Sequence, residues 1–490
     1  MGSMEGFPSK LAAPIVRGNI IKDGVLRYPP TSVKVVIVGG GISGLFAALE
    51  CWRKGHDVQV LERGANVSDA GDVVGIGPSA WVTLQKYPSM FQEWNQITDD
   101  PLWYFCGEDG SAVAPPSEYE YNSEGVAQHA SFPLRIKPLL ARSALAHMLA
   151  NQCEKLGIPI MFNVSIVDYE EDTSHGTAIA VSHDGRRFTG EVVIAADGIG
   201  TKSHKVVLGD DVKAISTGFA IYRLRCPISR LENAPTFQQL YQKMGRAEIR
   251  LGPVGHLHYA LTMTKGYVAL GLSVEDDGTA TESWSTTVPS DYVLSRHPEV
   301  EKCQPVLAEI IRNVPDNTIV RWPLAMRNPQ PKWTSSHGHI VQIGDSAHSF
   351  LPTSGNGATM AIEDALSIAE CLRLGAENVG MATRVHQLLR FQRVSIVQQT
   401  GMNNLREINS KMSNDVLRQG KWIWSHNPEH YATTNFYRAR SCLENATVFE
   451  NTNLPPGYVW TPWTIEEEMA KEKAGIFSQD LKTNGYWGVV

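Results

Sequence analysis

The chain has 490 residues, of which 42% are hydrophobic and 19% charged, enough apolar surface for two domains or two interleaved halves. A net charge of −7 without a run of Lys or Arg argues against a nucleic acid partner. Seven scattered cysteines, never in C-x-x-C, argue against a disulfide framework or a zinc site; no apolar run reaches the ~18 residues of a membrane helix, so a cytoplasmic protein away from membranes is expected.

Residues 1–32 hold several prolines and little periodicity, and read as an N-terminal arm. The apolar, β-branched run at 33–38 predicts a parallel strand covered on both faces. Gly39, Gly41 and Gly44 follow in G-x-G-x-x-G spacing: the first permits a tight turn, the second bares backbone at a helix N-terminus, and the third lets that helix lie close to the strand. The helix stops at Gly55, residues 57–61 form the second strand, and Glu62 lies 23 residues after Gly39, where a carboxylate can bind ribose hydroxyls. This βαβ unit predicts a dinucleotide site and leaves NAD and FAD both open. Gly75, Gly77 and Ala80 repeat the spacing without a clean strand before them and are discounted.

Residues 68–133, rich in Gly, Pro and aromatics, read as excursions from the nucleotide-binding core. A helix is predicted from 141 to 156, ending at Gly157, then strands at 158–167 and 178–183, an Asp184-Gly185 hairpin turn, and a strand at 186–190. The apolar strand 191–195 runs straight into Asp197-Gly198. From 211 to 330 longer alternating segments, at 217–226, 247–252, 256–263 and 266–274, predict an antiparallel sheet with one solvated or ligand-facing side. A short buried strand at 340–343 ends in Gly344-Asp345, a loop carries Gly355 and Gly357, and helices follow at 360–374 and 381–420.

Three segments thus share one design, a strand with Gly or Asp at its carboxyl end: Gly39 to Gly44, Asp197-Gly198, and Gly344-Asp345-Ser346-Ala347-His348 continuing to Pro352. In order and spacing, over nearly the whole chain, they resemble the class A FAD-dependent aromatic monooxygenases. The tail, with Trp422, Trp424 and the 453–465 segment, resembles the salicylate-hydroxylase-like fungal branch. The resemblance implies an α/β fold, with a Rossmann-like FAD-binding domain interleaved with an antiparallel-sheet substrate domain and a helical C-terminal region. The corresponding boundaries are an arm at 1–32, FAD-binding parts at 33–210 and 331–400, a substrate domain at 211–330, and a C-terminal region at 401–490.

By the same resemblance, Gly39, Gly41, Gly44 and Glu62 hold the ADP part of non-covalent FAD, Asp197 packs near the pyrophosphate and reduced nicotinamide, and Asp345 accepts hydrogen bonds from the ribityl chain. Pro352, Gly355, Gly357 and Ala358 pass beside the flavin ring, Gly75 lies in the glycine-rich loop near its dimethylbenzene edge, and Arg142 contacts the phosphates or the ring region, with Arg135 competing for that place. His348 is read as a packing residue, and Glu363-Asp364 as a solvated or dipole-facing pair. Asp72, together with Arg223 in Ala220-Ile221-Tyr222-Arg223, is similar to a pair in fungal indole monooxygenases of the spirocycle-forming type. There Asp72 would anchor a substrate nitrogen and Arg223 would donate a hydrogen bond or proton; an Asp–Arg pair closing two domains is the alternative.

The implied function is oxygenation of an electron-rich aromatic or indole small molecule by O2, with NAD(P)H reducing FAD and a C4a-hydroperoxyflavin delivering the oxygen, in secondary-metabolite (alkaloid) biosynthesis. A flavin oxidase or dehydrogenase without oxygen insertion, a phenolic-acid hydroxylase of salicylate type, and a flavin-binding redox sensor stay open. Trp422-Ile423-Trp424 is followed by Ser425-His426-Asn427 rather than the halogenase continuation, which disfavours halogenation.

Overall fold

The computed structural model describes residues 18–69, 71–126, 131–132, 135–280, 286–410, 419–474 and 481–488. Five parallel strands form its first sheet, in the order Ile340–Gln342, Val192–Ala195, Lys34–Val38, Asp57–Leu61, Ile160–Met161. Val38 pairs with Leu61 on one side and Ala195 on the other, and Ala195 pairs in turn with Gln342, so the strand ends lie level. The unbroken apolar run of the central strand has a physical cause in this setting. Val35 and Ile37 face a core shared with helices Ile42–Arg53, Arg142–Leu156 and Gly357–Leu374. Val36 and Val38 face the opposite way, into a cluster with Tyr169, Ala178, Ala180 and Phe188 of a three-stranded antiparallel sheet. A strand covered on both faces has no position at which a polar side chain is cheap.

The second sheet has seven strands, in the order Thr287–Val288, Ile319–Met326, Ile215–Pro227, Tyr267–Glu275, Leu257–Met263, Glu248–Val254, Leu102–Phe105. All neighbours are antiparallel except the last pair. The strand Leu102–Phe105 comes from within the glycine- and aromatic-rich excursion, which thereby completes the sheet built mainly from residues 215–326. Tyr222, Leu224, Leu261 and Leu272 pack on Leu307, Ile310 and Ile311 of helix Pro305–Asn313, closing one face of the sheet.

Several local expectations need correction. The strand expected at 158–167 breaks after Met161, because Asn163 takes a left-handed conformation (φ 58°) that lets the chain leave the parallel sheet; the next strand, Ile166–Asp172, belongs to the three-stranded sheet. Within the arm, Ile20–Lys22 and Val25–Arg27 form a hairpin whose turn, Asp23-Gly24, has positive φ at both residues. The helix expected at 381–420 spans Val379–Ser410; residues 419 and 420 are not helical, and 411–418 lie outside the described residues. No helix of the described residues is long and apolar enough to cross a membrane.

Candidate active site

The carboxyl ends of three adjacent parallel strands deliver the three motif segments to one place. Gly39 has φ 111°, and a Cβ there would sit 2.3 Å from the Ala196 carbonyl oxygen, so the first turn must pass bare against the Asp197 segment. At Gly44 a Cβ would lie 2.0 Å from the Gly39 carbonyl oxygen, which seats the helix on its own turn. Gly41 is the opposite case: a Cβ there meets nothing within 4 Å. It caps helix Ile42–Arg53 without any side-chain hydrogen bond, and the first intrahelical bond runs from Leu45 N to Gly41 O, leaving the amides before it turned toward open space. Glu62, at the end of the neighbouring strand, accepts hydrogen bonds from the amides of Gly40 (2.6 Å) and Gly64 (2.7 Å).

Beside this, the Asp197 carboxylate accepts from Tyr169 Oη (2.7 Å) and Ser346 Oγ (3.1 Å), and Gly198 N donates to the same Ser346 hydroxyl (2.9 Å). The second and third tips are therefore tied directly to each other. Asp345 is solvent-accessible yet crowded by protein; that crowding raises its carboxyl, while His348, Arg142 and Arg327 pull it back. Farther along, Pro352 and Gly355 are exposed, Gly355 has φ 62°, and helix Gly357–Leu374 begins without a side-chain cap, so bare amides stand at a second helix N-terminus. Ala358, half-buried, lies in its first turn. Open space at Gly41, uncapped amides at two helix ends and the accessible Asp345 between them fit an elongated, pyrophosphate-bearing flavin nucleotide.

Adjoining the Pro352 loop is a cavity of about 310 Å³. Its floor is the open face of the seven-stranded sheet, and its walls include Trp103, Tyr119, Trp424 and the Pro352 to Asn356 loop. Asp72, Gly75 and Arg223 also line it. Arg223 Nε donates to Asp72 Oδ2 at 2.8 Å and Nη2 donates to Oδ1, a bidentate pair joining the 68–133 excursion to the second sheet. Gly71, with φ 109°, turns the chain into this position; a Cβ on it would lie 2.6 Å from Arg142 Cδ. Arg142 thus sits behind the pair, where burial lowers its pKa and the nearby Asp345 carboxylate raises it.

Other candidates resolve differently. Arg135 is an exposed partner of Asp100 (2.7 Å) and Glu118 (2.6 Å), away from the groove. Glu363 and Asp364 are fully buried, which corrects the expectation of a solvated pair: Glu363 is held by Arg390 (2.5 Å) and Arg393 (2.9 Å), and Asp364 by Arg390 (2.8 Å) and His348 (2.5 Å). Burial raises both carboxyls, but Arg393 and Arg390 beside Glu363, and His348 and Arg390 beside Asp364, hold them far below the ordinary range. Asp364 also accepts from Gly344 N (3.0 Å), so the network clamps the strand tip that carries Asp345 from beneath. The aromatic wall of Trp103, Tyr119 and Trp424 was missed in the sequence. Its one signal is the aromatic density of residues 103–121, and Trp424 stands in a tail segment that gives no sign of lining a cavity.

Over residues 34–73 the chain matches the family model for FAD dependent oxidoreductases. It is 30% identical to notoamide E oxidase of Aspergillus versicolor, covering 87% of this chain and 94% of that one. The solved structure of CtdE in complex with FAD and substrate 4 superposes with a TM-score of 0.76 at 26% identity, covering 84% of this chain and 100% of that one. The FAD-dependent monooxygenase AacuC of Aspergillus aculeatus is 34% identical over 94% of each chain. With that identity across nearly the full length of both proteins, and with a groove shaped for a flavin nucleotide, this chain belongs to the FAD-dependent monooxygenases.

Proposed function

We propose that this enzyme inserts one atom of O2 into an electron-rich aromatic or indole compound, using NAD(P)H as reductant, in the biosynthesis of a secondary metabolite in the cytoplasm. The observation that carries the reading is a partly open, mostly apolar-walled cavity of about 310 Å³ placed against the Pro352 loop and carrying the ion pair Asp72–Arg223 on its wall. Bound FAD supplies the redox and oxygen-activating chemistry.

The chain's own residues have separate tasks in this scheme. The amides at the start of the helix after Gly41 would hold the pyrophosphate, Gly39 and Gly44 keep that turn and helix in place, and Glu62 would bind the ribose hydroxyls. Asp197 braces the neighbouring turn, Arg142 adds a cation, and Asp345 accepts from the ribityl hydroxyls. Pro352, Gly355, Gly357, Ala358 and Gly75 offer backbone without side-chain bulk to the ring. Arg223 places a cation at the cavity wall that would stabilise negative charge on a bound ligand's oxygen, and Asp72 fixes its orientation. Because both Asp72 oxygens are engaged by Arg223, a substrate nitrogen anchored by Asp72 would have to displace part of that pair. The aromatic walls exclude water from the reacting centre.

The test is a panel of aromatic and indole compounds added to the purified yellow enzyme with NADPH or NADH. Stimulated oxidation of the nicotinamide with a product heavier by one oxygen supports the reading. A dehydrogenated product without added oxygen places the enzyme with the oxidases instead.

A further inference from the structure

The floor of the cavity has a register that can be read rung by rung. Arg223 pairs with Gly271, Gly271 with Ala260, and Ala260 with Leu251, so the middle of this rung carries almost no side chain. On the adjacent rung toward one end, Ser273 pairs with His258. His258 stands two strands across from Arg223 and one rung along, which puts the two Cα atoms roughly 12 Å apart by standard strand spacings. Between them lie Gly271 and Ala260, with Ile221 leaning over Gly271 so that a Cβ there would lie 3.0 Å from Ile221 Cδ1, a small-residue floor with an aliphatic edge against which a flat fused-ring system can pack.

The polar groups of this cavity differ in how far they are already committed. Asp72 and Arg223 bind each other in bidentate fashion. Glu120 spends one oxygen on Gly420 N (3.1 Å), and the other is sealed from the cavity. His258 lines the cavity, is half-buried, and has no hydrogen-bond or ionic partner among the described residues. Burial lowers its pKa, so at neutral pH its ring carries an unprotonated nitrogen able to accept.

We propose that His258 accepts a hydrogen bond from an acidic O–H or N–H of a fused-ring aromatic substrate, and so selects phenolic or indole-type compounds over their O- or N-alkylated counterparts. This rests on the aromatic-substrate reading above and deepens it, because it assigns the group that fixes which edge of the ring faces away from Arg223. An unfilled acceptor in a mostly apolar cavity, with only the Ser273 hydroxyl beside it on the same rung, discriminates against a ligand that cannot donate to it.

Binding to the FAD-loaded enzyme is followed through perturbation of the flavin absorbance, with no reductant present. The ligand pairs are 1-naphthol with 1-methoxynaphthalene, and indole with 1-methylindole. Wild-type enzyme is expected to bind the O–H or N–H member ~10-fold more tightly. His258→Phe is expected to abolish that preference by weakening the donor ligands alone, and His258→Gln, which restores an acceptor, to recover part of it. Equal weakening of both members of a pair, or no change in either, would overturn the assignment while leaving the aromatic reading intact. If none of the four ligands perturbs the wild-type flavin, the aromatic reading fails and takes the assignment with it. Should the Phe variant not fold, His258→Leu, which also lacks an acceptor, takes its place with the same expected loss of preference and the same refuting outcomes.

Discussion

Gly41 and Gly44 lie three positions apart in one turn, yet their substitution by Ala should have opposite consequences. Gly41 has φ −81° and ψ −175°, a conformation open to any L-residue, and a Cβ there meets nothing within 4 Å. Gly41→Ala should therefore change the stability of the cofactor-free protein by no more than about 0.5 kcal/mol. The added methyl projects into the space where the pyrophosphate must approach backbone amides, so FAD affinity should fall by roughly 10- to 100-fold, or about 1.4–2.8 kcal/mol. At Gly44 the Cβ would lie 2.0 Å from the Gly39 carbonyl oxygen, an overlap removed only by moving the helix off the strand. Gly44→Ala should cost about 1–3 kcal/mol of stability with or without cofactor. Urea denaturation of the apoprotein and titration of the quenching of FAD fluorescence separate the two effects. If Gly41→Ala binds FAD as the parent does, or if it destabilises the apoprotein as much as Gly44→Ala, the groove has been placed wrongly.

Asp364→Asn leaves Arg390 buried with one carboxylate partner fewer and weakens the clamp on Gly344; a loss of about 3–5 kcal/mol in urea denaturation and release of FAD on gel filtration are expected, and retention of both would contradict the clamp. Arg223→Ala should keep the flavin bound but change product distribution or turnover on whatever compound the panel identifies; unchanged products at normal turnover would restrict the pair to closing the cavity. Acid sensitivity follows from buried imidazoles: burial lowers His56 to about 4 and His386 to about 3, so both are neutral when folded. Their unfolded forms take up protons below about 6.5, so stability must fall with pH from there, by at most roughly 1.4 kcal/mol per unit per histidine. The depressed carboxyls Glu363 and Asp364 add a further loss below the ordinary carboxylate range. Melting temperatures from pH 7 to 4.5 check this, and a flat profile would refute it.

What was legible in the sequence was local. The strand at 34–38, the turn and helix set by its three glycines, and the placing of Glu62 at the next strand's end are specified within one βαβ unit. The tips at Asp197 and Asp345 are equally local as positions, since an apolar strand ends abruptly at each, but their expected roles come from the family resemblance and not from spacing. Asp23-Gly24 was equally local and was passed over because the flanking strands are only three residues long. The burial of Glu363 and Asp364 could not be read, since it depends on Arg390 and Arg393, which reach them from the following helix. The cavity walls are likewise tertiary. Trp103 and Trp424 lie more than 300 positions apart and meet only through the sheet and the C-terminal region.

The most direct test is turnover under isotopically heavy O2 with a compound that stimulates nicotinamide oxidation. One heavy oxygen atom in each product molecule, none acquired when the label is in the water instead, is the expected result. Product carrying no oxygen from the gas, formed with hydrogen peroxide in equal amount, would contradict oxygen transfer in this cavity.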